Sequence, residues 1–210
     1  MAPSFSPAPL PADALARTLA PFGESRMLPV EAYTSDEVFA WEKGNFFSGW
    51  TCLGRSSDIA EPGMQRAEKV GDTSALLVRG EDGILRAFAN VCRHRGHEIL
   101  PCGGSARARA ITCPYHSWSY KLDGQLFSAA GYGGFESFDM TEFPLRPLAV
   151  EEWHGFVFVD LSGTAGPLAA HLAGLEERVA PYRLETLEVR GRHEYVIKAN
   201  WKIITENYQE

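Results

Sequence analysis

Two short cysteine–histidine pairs are the residues of this sequence best suited to chemistry. One residue separates Cys92 from His94, two separate Cys113 from His116, and eighteen residues lie between the pairs. Each pair offers one soft thiolate and one imidazole. An iron–sulfur cluster with two cysteines on one iron and two histidines on the other requires this ligand set. Zinc sites usually group cysteine with cysteine and histidine with histidine, so the alternating order favours the cluster, and a zinc site stays the alternative.

Both pairs are predicted to lie at the ends of short β-strands. The apolar or alternating runs 75–79 and 84–89 flank an Asp-Gly turn, a β-hairpin pattern whose second strand leads into Cys92. A short apolar run leads likewise into Cys113, and a second Asp-Gly hairpin pattern follows it. Residues 155–160 form a further run that is typical of a buried strand. The sequence therefore predicts a region of short antiparallel strands around both pairs.

Helical patterns flank this β region. Residues 13–20 and 36–44 are predicted to be helices, and Ser35 is in the position to cap the second one. Three further elements are predicted toward the carboxyl end: a helix near 168–182, a strand near 188–199 and a helix that starts at about Asn200.

The composition excludes several classes of protein. The chain has 210 residues, 45% hydrophobic and 22% charged, which is close to average globular usage. With 20 basic and 27 acidic residues its net charge is −7, so neither nucleic acid nor an anionic membrane surface is an expected partner. No apolar stretch approaches the roughly 18 residues of a membrane span, and the start lacks a signal-peptide pattern. A cytoplasmic location is therefore expected. The four cysteines are too few for a disulfide scaffold, and Cys52 and Cys102, which have no partner at ligand spacing, are expected to be packed or loop thiols.

The segments CRHRG, beginning at Cys92, and CPYHSW, beginning at Cys113, resemble the Rieske [2Fe–2S] motif of Rieske non-haem iron oxygenases. The resemblance implies that the two cysteines hold the buried iron. It implies that His94 and His116 hold the outer iron, with their second ring nitrogens facing solvent or a partner. It also implies that Trp118 is an aromatic lid beside the cluster.

The last eleven residues, from Asn200 to Glu210, resemble the segment that opens the catalytic domain of the same oxygenases. In that family the helix continues into two histidines that, with a later carboxylate, hold a mononuclear iron(II). His154, His171 and His193 lack the required spacing, so mononuclear Fe(II) is expected only in a longer, full-length protein. By position, Glu210 is similar to the acidic residue that relays an electron from a cluster histidine of the neighbouring subunit; a solvated helix residue is the open alternative.

The resemblance implies three parts: an arm and helix over 1–45, a Rieske domain over 46–165, and the truncated beginning of an α+β catalytic domain over 166–210. The implied fold is mainly β, with an N-terminal helix. The implied function is electron transfer within a terminal oxygenase that hydroxylates or oxidatively demethylates a small organic substrate with O₂. Its electrons would come from an NAD(P)H-dependent flavin reductase or a ferredoxin, and the full-length protein would form a homotrimer. A stand-alone Rieske ferredoxin is the alternative, although such a carrier would not need the leading helix or the segment after Asn200.

Overall fold

The structure is a computed structural model, and it describes residues 6–132, 135, 137–191 and 193–209. Its helices are α1 (Ala12–Thr18), α2 (Glu31–Thr34), α3 (Asp36–Asn45), α4 (Leu168–Leu172), α5 (Glu176–Val179) and α6 (Trp201–Asn207). Its strands are β1 (Trp50–Arg55), β2 (Met64–Val70), β3 (Thr73–Arg79), β4 (Leu85–Ala89), β5 (Ser105–Arg107), β6 (Ile111–Thr112), β7 (Ser119–Tyr120), β8 (Leu126–Ser128), β9 (Pro147–Trp153) and β10 (Phe156–Asp160). Short 3₁₀ helices cover Ser56–Ile59, Met140–Glu142, Ala180–Tyr182 and Leu184–Thr186. Within these described ranges, no helix has the length and apolar character needed to cross a membrane.

The chain divides into two compact units. The larger unit is residues 48–187, and the smaller unit combines residues 1–47 with residues 188–210. All the strands described above belong to the larger unit, so the prediction of a mainly β fold is confirmed. The predicted domain boundaries at 45/46 and 165/166 stay predictions.

The larger unit is built on a seven-stranded antiparallel sheet in the order β1-β10-β9-β4-β3-β2-β5. The predicted hairpin is present as β3 and β4, with Ala75 opposite Ala89. Its turn contains Gly83 at φ 76°, a left-handed conformation that glycine adopts without steric cost. Apolar side chains such as Leu77 and Val159 are fully buried against one another and form one part of the core. Their burial fixes the sheet register, because a slip by one residue would turn this apolar face outward.

A smaller three-stranded sheet, β6-β7-β8, carries the second cysteine–histidine pair. Ile111 on β6 is opposite Tyr120 on β7, and both side chains are completely buried. They belong to a second part of the core that also contains Cys92 and Cys113. The ligand candidates therefore lie at the edge of a packed apolar layer.

In the smaller unit, side-chain caps stabilise the starts of α3 and α6, and a buried ion pair joins the two helices. The Ser35 side chain accepts a hydrogen bond from Val38 N–H at the start of α3, as predicted. At the start of α6 the Asn200 side chain accepts one from the N–H of Lys202. The buried Lys202 ammonium donates to the buried carboxylate of Glu42 in α3. A buried charge needs such a partner, so this pair fixes how α3 and α6 pack.

Two sequence predictions near the carboxyl end are wrong. The predicted strand near 188–199 has no strand structure in its described residues, and its apolar side chains, such as Val196, are exposed. Its alternating pattern finds no described strand to pair with, and an unpaired strand is not stable by itself. The predicted helix near 168–182 is interrupted between α4 and α5, and it ends in a 3₁₀ turn that contains Pro181. Gly174 lies in the interruption, where glycine weakens a continuous helix.

Candidate iron–sulfur centre

The first ligand loop, Cys92–His97, is closed by its own backbone. The Cys92 N–H donates to the carbonyl of His97 at 2.8 Å, and the N–H of Gly96 donates to the carbonyl of Cys92 at 3.1 Å. Gly96 has a φ of 71°, which makes glycine the favoured residue at this point of the turn. The loop is thus closed by hydrogen bonds of its own backbone, and it presents Cys92 and His94 together.

The second ligand loop, Cys113–Trp118, repeats this backbone pattern. The Cys113 N–H donates to the Trp118 carbonyl at 2.9 Å, and the Ser117 N–H donates to the Cys113 carbonyl at 3.0 Å. Ser117 has a φ of 57°, although it is not a glycine. Such conformations are uncommon for other residues and cluster at functional sites. The two loops therefore form one motif used twice, with the histidine two residues after the cysteine in the first loop and three in the second.

The two loops bring their imidazoles side by side. The ring centroids of His94 and His116 are 4.9 Å apart. The Nδ1 atom of His116 is buried and has no hydrogen-bond partner, which is rare for a polar atom in a folded protein. Burial lowers the pKa of His94, and the nearby His116 and Arg95 lower it further. The lowered pKa favours the neutral form of His94, which is the form of imidazole that binds metals.

The two thiols lie deeper than the imidazoles. Cys92 and Cys113 are each only 2% exposed. Burial raises the pKa of the Cys113 thiol, and the neighbouring Cys92 raises it further. Water cannot stabilise the negative charge of two adjacent buried thiolates. A bound metal cation would stabilise them.

A tyrosine hydroxyl contacts one of these sulfurs. The Tyr120 hydroxyl oxygen lies 3.2 Å from Cys92 Sγ and accepts a hydrogen bond from the backbone N–H of Arg93 at 3.0 Å. A thiolate at Cys92 has no proton to donate, so against such a sulfur the hydroxyl is the donor. Burial raises the pKa of Tyr120, followed by its hydrogen bond with Cys92, so the hydroxyl stays protonated. Tyr120 is therefore a hydrogen-bond donor to a thiolate at Cys92.

Aromatic rings cover the imidazole of the first loop. The Trp118 ring is stacked on His94, with centroids 4.7 Å apart and planes 13° from parallel. Phe138 and Phe143 pack against the same tryptophan at 5.7 and 5.8 Å. Trp118 itself is 1% exposed. The shell restricts water at the site, which is one of the factors that set the potential of a bound cluster.

Comparisons with known proteins agree with this geometry. The profile of the Rieske [2Fe–2S] domain matches residues 49–139. The oxygenase subunit of carnitine monooxygenase from Acinetobacter baumannii is 41% identical over 185 residues, which cover 87% of this chain and 50% of that subunit. The oxygenase subunit of glycine betaine monooxygenase from Chromohalobacter salexigens is 36% identical over 184 residues, 87% of this chain and 41% of that subunit. A crystal structure of the apo form of a quaternary ammonium Rieske monooxygenase superposes with a TM-score of 0.84 and 39% identity, over 96% of this chain and 58% of that one.

Residues 49–139 match the Rieske [2Fe–2S] domain, and over 87% of its length the chain is similar to the oxygenase subunit of a Rieske-type carnitine monooxygenase. It spans about half the length of the carnitine monooxygenase subunit, at 50%. The predicted cofactor class is confirmed by the matching domain.

The residues of the Rieske domain fit a two-iron cluster. Cys92 and Cys113 supply two buried sulfurs, and His94 and His116 supply two imidazoles, one of them with a buried Nδ1 that has no partner. In the described part of the chain, no three His, Cys, Asp or Glu side chains converge on one point as ligands of a single ion. A Rieske cluster needs no such convergence, because each iron takes two protein ligands.

The remaining sequence candidates have different outcomes. Cys52 and Cys102 are free and exposed. Cys102 lies in a loop, as predicted, whereas Cys52 lies on β1 with its side chain exposed and is neither packed nor in a loop. Glu210 lies outside the described residues, so its role as an electron relay stays a prediction. Glu206, one turn earlier, accepts a hydrogen bond from the Tyr33 hydroxyl at 2.7 Å. Burial and this hydrogen bond raise the pKa of Tyr33 to about 12, so Glu206 is a structural acceptor within the smaller unit.

Two tyrosines of the Rieske domain escaped the sequence analysis. Tyr120 contacts Cys92, and the Tyr132 hydroxyl lies 3.3 Å from Nε2 of His94. Strand alternation contains a signal for the first, because Trp118 and Tyr120 are two residues apart and share one face. No local pattern indicates Tyr132, since it lies 38 positions after the histidine that it contacts.

Proposed function

We propose that Cys92, Cys113, His94 and His116 hold the [2Fe–2S] cluster, the cysteines on the buried iron and the histidines on the outer one. The observation that supports this most strongly is the buried Nδ1 atom of His116, which has no hydrogen-bond partner and lies in a loop beside two buried thiols. When bound, such a cluster supplies one-electron transfer.

The surrounding side chains of the Rieske domain prepare the site for this role. Tyr120 donates a hydrogen bond to Cys92 Sγ, which stabilises negative charge on the sulfur. Trp118 covers the face of His94 and limits the access of water. The backbone hydrogen bonds of both loops hold the ligands in place, so little reorganisation accompanies a change of charge.

For the protein of which this domain is part, we propose an oxygenase that hydroxylates or oxidatively demethylates a small quaternary ammonium compound. The support is the identity of 41% to a carnitine monooxygenase subunit and of 36% to a glycine betaine monooxygenase subunit. The electron donor would be a flavin-dependent reductase or a ferredoxin, and O₂ would be the second substrate. A homotrimer, a cytoplasmic location and a mononuclear iron(II) in the full-length protein belong to the same proposal.

These relatives are oxygenase subunits and not electron carriers, which favours the oxygenase over the stand-alone ferredoxin. The smaller unit supports the same choice. Its α3 and α6 helices are joined by the buried pair of Glu42 and Lys202, a structure that transferring an electron does not require.

The cluster assignment can be tested on the isolated chain. After anaerobic loading with iron and sulfide, we expect two irons and two sulfides per chain, visible absorption and an EPR signal upon one-electron reduction. Cys113→Ala should lose all three, whereas Cys102→Ala, the matched control with an exposed thiol, should retain them. A colourless protein that binds zinc would overturn the proposal, because Zn²⁺ has no visible d–d absorption.

The substrate class needs the protein as isolated from its native source. We expect carnitine or glycine betaine to stimulate consumption of O₂ and reducing equivalents, and naphthalene to have no such effect. Stimulation by naphthalene alone would replace the quaternary ammonium class with an aromatic one. Reversible one-electron reduction with no substrate-dependent O₂ consumption would favour the ferredoxin alternative.

A further inference from the structure

Tyr132 contacts only one of the two histidines of the centre. Its hydroxyl oxygen lies 3.3 Å from Nε2 of His94. Among the described residues no hydrogen bond joins a tyrosine hydroxyl to His116, whose Nδ1 is buried and without a partner. The two imidazoles therefore have unequal surroundings before any iron is bound.

Several contacts fix Tyr132 in this position. Its ring meets Trp118 edge to face at 5.5 Å, and Phe138 packs against it at 4.9 Å. Its backbone N–H donates to the carbonyl of Ala129 at 3.1 Å. The same Trp118 ring is stacked on His94, so tryptophan and tyrosine hold this imidazole from its face and from its outer nitrogen. Contacts in two directions restrict the orientation of this ring.

The chemistry of imidazole indicates which atom donates in the hydrogen bond between Tyr132 and His94. When one ring nitrogen binds a metal, the other carries the proton and donates it to a nearby acceptor, which raises the basicity of the ligand. The tyrosine oxygen is such an acceptor. With Nε2 of His94 engaged by Tyr132, Nδ1 is the nitrogen left for iron, and it matches the unpartnered Nδ1 of His116.

We propose that Tyr132 is a positioning residue of the centre: its hydroxyl accepts the Nε2–H hydrogen bond of His94, fixes Nδ1 as the ligating atom and makes the two histidine ligands electronically unequal. This inference rests on the proposed cluster assignment. The more basic ligand, His94, stabilises the oxidised iron, so the contact lowers the reduction potential of the centre. The outer nitrogen of His116 stays free of this internal partner.

The test compares Tyr132→Phe with the unsubstituted chain, both loaded with cluster. We expect the variant to have a higher midpoint reduction potential. Pulsed EPR on protein labelled with ¹⁵N-histidine should show a changed hyperfine coupling for one histidine nitrogen and not for the other. Tyr132→Gln, which retains an acceptor oxygen, should return the potential toward that of the unsubstituted chain.

Tyr115→Phe is the matched control. The Tyr115 ring lies 3.7 Å from the His116 ring, but in the described residues its hydroxyl is bonded to neither imidazole. This variant should keep the original potential and couplings. The inference is overturned if Tyr132→Phe leaves both readings unchanged, or if the two variants shift them equally.

The unsubstituted chain offers a reading that does not depend on how well the variant folds. Its two histidine nitrogens should have unequal couplings, and one outer N–H should exchange more slowly with D₂O than the other. Equal couplings and equal exchange would contradict the inference while leaving the cluster assignment intact. Failure of the unsubstituted chain to bind a [2Fe–2S] cluster would instead remove the proposed function itself.

Discussion

Two regions of the larger unit use histidine in opposite ways. In the ligand loops, His94 and His116 lie against each other and against aromatic rings, and burial lowers the pKa of His94. At the turn between β9 and β10, His154 lies between two carboxylates, with Nε2 2.8 Å from Glu176 and Nδ1 3.3 Å from Glu185. We call this second group the histidine clamp.

The clamp stabilises a charged imidazole at His154, whereas the surroundings of His94 stabilise a neutral one. The hydrogen bond to Glu176, followed by that to Glu185, raises the pKa of His154. Both of its nitrogens are engaged, so none is left for a metal. The buried Nδ1 of His116 has no hydrogen-bond partner and is therefore available to bind a metal. His154, in contrast, is bonded through both ring nitrogens to carboxylates of the same chain, so its role is structural.

The largest expected difference between the regions is in cluster content. His116→Ala removes one of the four proposed ligands, so we expect the variant to lose most of its iron, sulfide and visible absorption after loading. His154→Ala removes only the clamp and should retain all three. Iron and sulfide analysis checks the result, and far-UV circular dichroism confirms that both variants are folded. Equal cluster content in the two variants would contradict the distinction between the two regions.

A second change keeps four ligands but alters their type. His116→Cys should still bind a cluster, with a reduction potential lower by on the order of 100 mV or more, because histidine ligands raise the potential above that of all-cysteine clusters. Redox titration followed by EPR measures the shift. His154→Cys is the control and should leave the potential unchanged. An intact cluster with the original potential in His116→Cys would show that His116 is not a ligand.

The sequence predicts the four ligand candidates because they are local. The spacings within Cys92–His94 and Cys113–His116 are properties of short loops, and both loops close through hydrogen bonds between neighbouring residues. The hairpin of β3 and β4 is predicted for the same reason, since its turn and its alternation lie within a few residues.

The features that sequence analysis missed depend on contacts between distant segments. β1 pairs with β10, about a hundred residues later, and no local pattern specifies that partner. Tyr132 reaches His94 from a separate loop. The strand predicted near 188–199 is absent from the described residues for a related reason. An alternating pattern does not produce a strand unless another strand is present to pair with it.

A moderate effect is expected from the hydrogen bond to sulfur. The hydrogen bond to Cys92 Sγ stabilises the reduced cluster, because that state is the more negative one. Tyr120→Phe removes the donor, so the reduction potential should fall. One charge-assisted hydrogen bond is equivalent to a shift of roughly tens of millivolts for a one-electron couple. Tyr33→Phe, which removes a hydroxyl bonded to Glu206 in the smaller unit, is the control and should leave the potential unchanged. A rise in the potential of Tyr120→Phe would show that the hydroxyl does not donate to the sulfur.

The smallest expected effect is the pH dependence of the histidine clamp. The raised pKa of His154 means that its contribution to stability is complete below the unfolded value of about 6.5 and is lost as the pH rises through the folded pKa. The pKa values of Glu176 and Glu185 are lowered, so their contribution is present above about pH 4.3 and is lost as the pH falls through their folded values. The difference in thermal midpoint between the unsubstituted chain and His154→Gln should therefore be largest between about pH 4.5 and 6.5, and salt should reduce it because the carboxylates are exposed. A difference that is constant with pH would mean that His154 contributes through packing and not through its charge.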